Sequence, residues 1–315
     1  MKDFLKNNLL FFFPLSILFF IGIVFLPNKK NDYWVKREYL DAHSNEIETL
    51  ILGSSHTYYD INPEKLSGRS FNAAYVSQTI DIDEAILFKY QHKWNHLKTI
   101  IIPIDYFTLF EQLSTGMESW RLKKYQNYWG IEQQERQYGY WYKVDIQFDI
   151  LKDRFKKYIS KDADSITCTP FGWGNIYRAS LKTDLEKEGK MAAARHLLSD
   201  TACFRKNIMV VHQIINFAKA NNSRILFITT PAYKTYTNLL DSIQLNTTFV
   251  TIQSIVAKEN NCFYNNFLND KDFTSIDFHD ADHLNDIGAN KFSIKIDSLI
   301  KNANSKLIFL NNKVY

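Results

Sequence analysis

Five short apolar runs, separated by segments of helical spacing, constrain this chain more than any other feature. "IETLILG" (47–53), "SFNAA" (70–74), "LKTIIIPID" (97–105), "RILFITTP" (224–231) and "CFYNNF" (262–267) read as strands. The longer runs are β-branched without polar alternation, as expected of strands covered on both faces. Between them, "IDIDEAILFKY" (80–90) puts Ile82, Ala85, Ile86 and Lys89 on one helical face. "NIMVVHQIINFAKANN" (207–222) does the same with Ile208, Val211, Ile214, Ile215 and Ala218, and stops at Asn221-Asn222 as a C-cap. "TTFVTIQSIVAKENN" (247–261) and "NDIGANKFSIKIDSLIKN" (285–302) read as two further helices. Strands alternating with helices of this length predict an α/β fold, a three-layer αβα sandwich with a mainly parallel five-stranded sheet. Its 315 residues, 45% apolar and 15% aromatic, are ample for such a core. Ligands of such sheets gather at the carboxyl ends of the strands.

Residues 106–205 break the alternation. They are rich in aromatic residues, including Trp120, Trp129, Trp141, Trp173, Tyr125, Tyr128, Tyr138, Tyr140 and Tyr142. They read as a helical insertion, a lid or subdomain between the third strand and the next helix, with "FDILKDRFKKYI" (148–159) as one local helix. Aromatic faces suit sugar stacking; core packing is the plainer reading.

"LLFFFPLSILFFIGIVFLP" (9–27) carries no charge. Leu9 to Leu26 is 18 residues, about the lower limit for a transmembrane helix. A cleaved signal peptide is the alternative, but no small-residue cleavage site follows. The domains expected are therefore a membrane anchor over 1–30 and a catalytic domain over 31–315, with 28–45 as a polar linker. Lys2 and Lys6 precede the span, and Lys29, Lys30, Lys36 and Arg37 follow it. That pattern leans towards a cytoplasmic bulk, although long domains translocate with little regard to charge. Both orientations stay open at this point. The 38 Lys and Arg residues are scattered among 34 Asp and Glu, a net charge of only +4, which argues against nucleic-acid binding. No C-x-x-C pair is present, so structural zinc is disfavoured. Cys168 and Cys203 would pair only in an oxidising compartment; the alternative is buried free thiols.

"LGSSHTYYD" (52–60) follows the first strand, so Ser54, Ser55 and His56 stand at a carboxyl end. A serine hydroxyl attacks only when a base takes its proton and a third group orients that base. "DFHDADHLNDIGANKF" (277–292) supplies His283 in the loop before the last helix, with Asp280 three residues earlier. An Asp so placed can bond the imidazole and fix its tautomer. Asp282 as the carboxylate and His279 as the base are competing assignments. Ser54 or Ser55 as a simple helix N-cap is the bland one. Asn72 reads as a turn cap, and Asp60 and Asn62 before Pro63 as turn residues.

"LILGSSH", "FNAAYVSQ" and "DADHLNDIGANKFS" together resemble the SGNH (GDSL-type) hydrolase superfamily. The nearest likeness is to its membrane-anchored envelope members, relatives of the alginate O-acetylation proteins and of the D-alanine transfer protein DltD. The likeness spans 47–105 and 206–300. It implies a flavodoxin-like fold with Ser55 as nucleophile, Asp280 as orienting acid and His283 as base. It also implies an oxyanion hole from the backbone N–H groups of Ser55 and Ala74. Two positions depart from the pattern: Ala74 stands where a Gly is usual, and Asp105 stands nearest to where an Asn side chain is usual. A carboxylate cannot donate to an oxyanion unless protonated. Asn72, Asp105 and His56 are expected to line the site.

The expectation is a single-pass serine esterase or O-acyltransferase acting on acyl, chiefly acetyl, esters of a cell-envelope glycan, with its domain periplasmic. No metal or organic cofactor is implied, because a triad needs none. The partners implied are an envelope glycan or acylated carrier and a polytopic membrane acyltransferase, with no nucleic acid. The rival expectation is a non-catalytic anchored scaffold or glycan-binding protein that retains the fold.

Overall fold

The structure is a computed structural model. It describes residues 30–131, 166–198 and 202–302, the backbone of the last helix to 311, and positions 8, 10–14, 16, 17, 21 and 152. The anchor expected over 1–30 and the helix expected over 148–159 lie almost wholly outside these residues. Among the described residues no helix is long and apolar enough to cross a membrane.

The chain divides into two compact units. The larger comprises 36–122 and 167–315, and carries the sheet. The smaller comprises 1–35 and 123–166; within it Tyr33 meets Tyr125 edge to face at 5.1 Å and stacks on Tyr128.

Five parallel strands form one sheet in the order β2-β1-β3-β4-β5. They are β1 (Thr49–Ile51), β2 (Ser70–Asn72), β3 (Thr99–Pro103), β4 (Arg224–Thr229) and β5 (Cys262–Asn266). All five coincide with the apolar runs. β1 to β4 are buried along their whole length, which is why they carry no polar alternation. The main helices are α1 (Asp32–His43), α2 (Ser55–Asp60), α3 (Ile80–Lys89), α4 (Leu185–His196), α5 (Ala202–Ala220), α6 (Ser242–Val256) and α7 (Asp286–Asn311). Ile51, Ile101, Leu226 and Ile228 face one way and pack with Ala289, Phe292, Ile296 and Ile300 of α7. Alternate strand residues, Leu50, Ile100, Ile225 and Phe227, are fully buried on the opposite face. α5 packs there on β4 and α3.

Two segments differ from expectation. Residues 28–45, read as a polar linker, contain α1. Its polar sequence conceals Leu40 and Lys36, at 0% and 1% exposure. The Lys36 ammonium donates to the Asn72 and Ala74 carbonyl oxygens and lies 4.3 Å from the centre of the Tyr58 ring. Within 106–205, α4 packs against a short helical turn at Lys234–Thr237. Gly189 permits this approach, since a Cβ there would lie 2.5 Å from the Thr235 carbonyl oxygen. Trp173 is core: its indole N–H donates to the Tyr59 carbonyl at 2.6 Å. Trp129 is also buried, which leaves Trp120 as the exposed tryptophan of the described insertion. Trp141, Tyr138, Tyr140 and Tyr142 lie outside the described residues. Cys168, Cys203 and Cys262 form no disulfide with one another, so the conditional Cys168–Cys203 pairing is not formed.

Candidate active site

The order 2-1-3-4-5 reverses direction between β1 and β3, and doubly wound sheets place ligands in the crevice at that point. The chain leaves β1 through Gly53, at φ +114°. A Cβ there would lie 2.1 Å from Pro103 Cγ, so only glycine fits beside β3. Ser54 then caps α2, its hydroxyl accepting from the His56 N–H. Ser55 follows as the first helical residue, where an N–H has no acceptor in its own helix. The N-cap role thus falls to Ser54 and leaves the Ser55 hydroxyl available.

The second half of the site comes from the loop before α7. Phe278 and Leu284 form an antiparallel bridge, and the His279 N–H donates to the His283 carbonyl at 3.0 Å. Inside this tight loop Asp280 Oδ1 accepts from the backbone N–H groups of Asp282 and His283 at 3.1 and 2.8 Å. Asn285 accepts from Ile287 N–H and Gly288 N–H and so caps the start of α7. The loop brings His283 Nδ1 to 2.9 and 3.0 Å from the two Asp280 oxygens. His283 Nε2 lies 2.8 Å from Ser55 Oγ. Ser55, His283 and Asp280 are therefore brought together in the expected order. The His279 ring instead stacks on Tyr177 at 3.9 Å.

Behind this line lies a second layer of charge. His56 is 3% exposed. Its Nδ1 is 2.9 Å from Asp105 Oδ2, and its Nε2 is 3.5 Å from Asp282 Oδ2. Both contacts fall within ion-pair distance without the alignment of a directed hydrogen bond. Asp282 Oδ2 also meets Arg195 Nη2 at 3.3 Å, and Asp282 Oδ1 lies 3.6 Å from His283 Nδ1. Burial works against a charged His56, but Asp105 and Asp282 outweigh it and raise its pKa well above the ordinary value. Burial opposes the His283 imidazolium too, and is overcome by Asp280 and Asp282, so its pKa is also raised. For Asp282 burial is outweighed by His283 and His56, which hold its pKa well below the usual carboxylate range. Burial, helped by the Asp280 charge, drives the nearby Asp60 well above that range, and burial, helped by His56, Arg195 and His283, drives His196 down to about 3.

A cleft of about 660 Å³ opens on this site. Ser55, Asp280 and His283 line it, with Tyr59, Phe107, Phe110 and Tyr177 as apolar walls and Glu111, Glu118, Glu188, Arg121 and Arg195 as charges. Four expected site residues need correction. Asn72 is fully buried and spends its amide on the Thr57 and Ile61 carbonyls, tying β2 to α2. The Ala74 N–H is committed to Asn72 Oδ1 at 3.0 Å, so it is not an oxyanion donor. Asp105 accepts from Thr230 N–H and Oγ1–H, both at 3.2 Å, and sits against His56 rather than on the cleft wall. His56 likewise lies behind the wall. The wall beyond Ser55 is instead the turn Val76-Ser77-Gln78, where Ser77 adopts φ +58°. The role of Arg195 gave no sequence signal, because nothing in "MAAARHLL" marks it as near residue 283.

His56, Asp282 and His283 each offer a ligand atom, all within 4.8 Å of one another. Within that group His283 Nδ1 also faces Asp280 and Nε2 faces Ser55 Oγ. No family model matches the chain, and no curated protein matches it.

Proposed function

We propose that this chain is a serine esterase or O-acyltransferase of the SGNH type. The observation that carries the reading is the unbroken line Ser55 Oγ, His283 Nε2, His283 Nδ1, Asp280, with successive gaps of 2.8 and 2.9 Å across the two contacts. Ser55 attacks the ester carbonyl, His283 takes its proton and later returns it to the leaving alkoxide, and Asp280 holds the imidazole tautomer. The Ser55 N–H stabilises the oxyanion, with a second donor from the Val76–Ser77 turn in place of Ala74. The acyl-enzyme then passes its acyl group to water or to a sugar hydroxyl. A cleft of about 660 Å³ with mixed charge and aromatic walls suits a polyhydroxylated acceptor better than a long acyl chain. An acetyl ester of an envelope glycan is the substrate class we favour, with an acylated carrier or polytopic membrane acyltransferase as donor partner.

The stretch 9–27 is the proposed membrane anchor, with the sheet unit on the periplasmic side. Leu10, Phe11, Phe12, Phe13, Ile17 and Ile21 are all exposed, which supports a lipid-facing role. A C-terminal reporter active only in the cytoplasm would overturn that orientation.

Fluorophosphonate labelling of the full-length chain tests the chemistry. Wild type should label, and Ser55→Ala and His283→Ala should label at least ~10³-fold more slowly. Labelling of Ser55→Ala at the wild-type rate would sink the reading. One observation favours the scaffold alternative: neither Ala74 nor Asp105 supplies a donor to the hole. A glycan-binding scaffold should keep its binding in Ser55→Ala and show no labelling in wild type.

A further inference from the structure

Asp282 is not needed for a Ser–His–Asp triad, yet it is 2% exposed and faces three cationic or basic groups. An isolated buried carboxylate is costly, so its surroundings have to be built for it. Oδ2 faces His56 at 3.5 Å and Arg195 at 3.3 Å, and Oδ1 faces His283 Nδ1 at 3.6 Å. Each partner comes from a different element: His56 from α2, Arg195 from α4 and His283 from the loop before α7. His56 is fixed from its other side by Asp105, at the end of β3.

We propose that Asp282 is a positioning residue for His283, and that the chain Asp105–His56–Asp282, completed by Arg195, sets how readily His283 accepts the serine proton. This inference rests on His283 being the base. His283 then faces two carboxylates from one loop, Asp280 within hydrogen-bond reach and Asp282 just beyond it. With His56 protonated, it and Arg195 are two cations against the three carboxylates of Asp105, Asp280 and Asp282. One negative charge is left over in the resting site, and a protonated His283 cancels it. Proton transfer from Ser55 to His283 therefore moves charge into a place already polarised to receive it, without reorganisation. The other titratable groups facing His283 do not disturb the count. Burial raises the pKa of Asp60 on α2 and lowers that of His196 on α4, so both are pushed towards their neutral forms. Tyr59 and Tyr177, edge-on at 5.7 and 5.4 Å, are neutral phenols.

The test reads His283 directly and does not require turnover. In the full-length chain with isotopically labelled histidine, the His283 imidazole is titrated by NMR in wild type, Asp282→Asn, His56→Gln and Arg195→Gln. Losing the Asp282 charge should move the His283 midpoint down by about 1 unit, and losing the His56 charge should move it up by about 1 unit. Arg195→Gln should also move it up, by less because Arg195 is half-exposed, and this surface variant guards against misfolding of the buried ones. A purely structural role for Asp282 predicts an unchanged midpoint, or shifts of one sign in all three variants, and either result overturns the proposal. The labelling rate is measured alongside. Absent labelling with opposed midpoint shifts would refute the enzyme while leaving the positioning of His283 intact. Normal labelling with no shift would do the reverse.

Discussion

Gly53 shows how much of the site rests on one residue. Its φ of +114° and the 2.1 Å approach of a built Cβ to Pro103 mean that β1 cannot lead into α2 with a side chain here. Gly53→Ala should destabilise the fold by about 3 kcal/mol, checked by urea denaturation, because the Pro103 ring cannot give way as a flexible side chain would. The same variant should label poorly even where folded, since Ser55 is two residues on. At this scale Ser55, Asp280 and His283 were legible because their chemistry is local: a small-residue turn after a strand, and an Asp three residues before a His. Asp282, Arg195 and His56 were not legible as one network. Their meeting depends on α2, α4 and the 278–284 loop docking together, which no spacing in the sequence records. Ala74 was misplaced for a different reason. Its N–H was assigned by likeness, while the competing acceptor, Asn72 Oδ1, is two residues upstream: the turn cap expected of Asn72 is formed, and it takes the Ala74 N–H.

At the scale of elements, the strands were legible, and the helices α1, α2 and α4 were not placed. β1, β3 and β4 are buried on both faces and so read as unbroken apolar runs. α1 hides its role in a single long polar side chain. Lys36 is 1% exposed and spans the gap to the carbonyl oxygens of Asn72, the last residue of β2, and of Ala74. Lys36→Met keeps the length and the apolar stem but strands both carbonyls. We expect a loss of about 2 kcal/mol by urea denaturation, the cost of unsatisfied buried acceptors. If the loss were below about 0.5 kcal/mol, water would have to reach those carbonyls and α1 would be a loose cover rather than part of the core. α4 was missed because "LEKEGKMAAARH" is largely polar and holds a glycine, and its packing depends on that glycine meeting Thr235.

For the whole molecule, the buried titratable groups fix how stability must change with pH. Burial pushes Asp83 up to about 7, although the Gln78 amide and the Gly53 N–H bond to its carboxylate. Glu84 is also pushed to about 7 by burial. Their folded values lie above the unfolded range near 4, so the stability they contribute is fully present below about pH 4 and lost as pH rises through about 7. His56 and His283, raised by their carboxylates, contribute stability that is present below about pH 6.5 and lost above it. His196, lowered to about 3 by burial, acts the other way, but its effect is complete by about pH 6.5. From pH 6.5 to 9 these contributions all run in one direction, and the melting temperature should fall across that range. Asp83→Asn isolates one part of this. Asn keeps the acceptor for Gly53 and Gln78 and removes the charge, so it mimics the protonated acid. Its melting temperature should match wild type below about pH 4 and exceed it by more than about 2 °C at pH 8. Parallel curves for the two proteins from about pH 4 to pH 8 would mean that Asp83 titrates normally. Water would then have to reach the back of β1, and the wall behind Ser54 would be wetter than its packing implies.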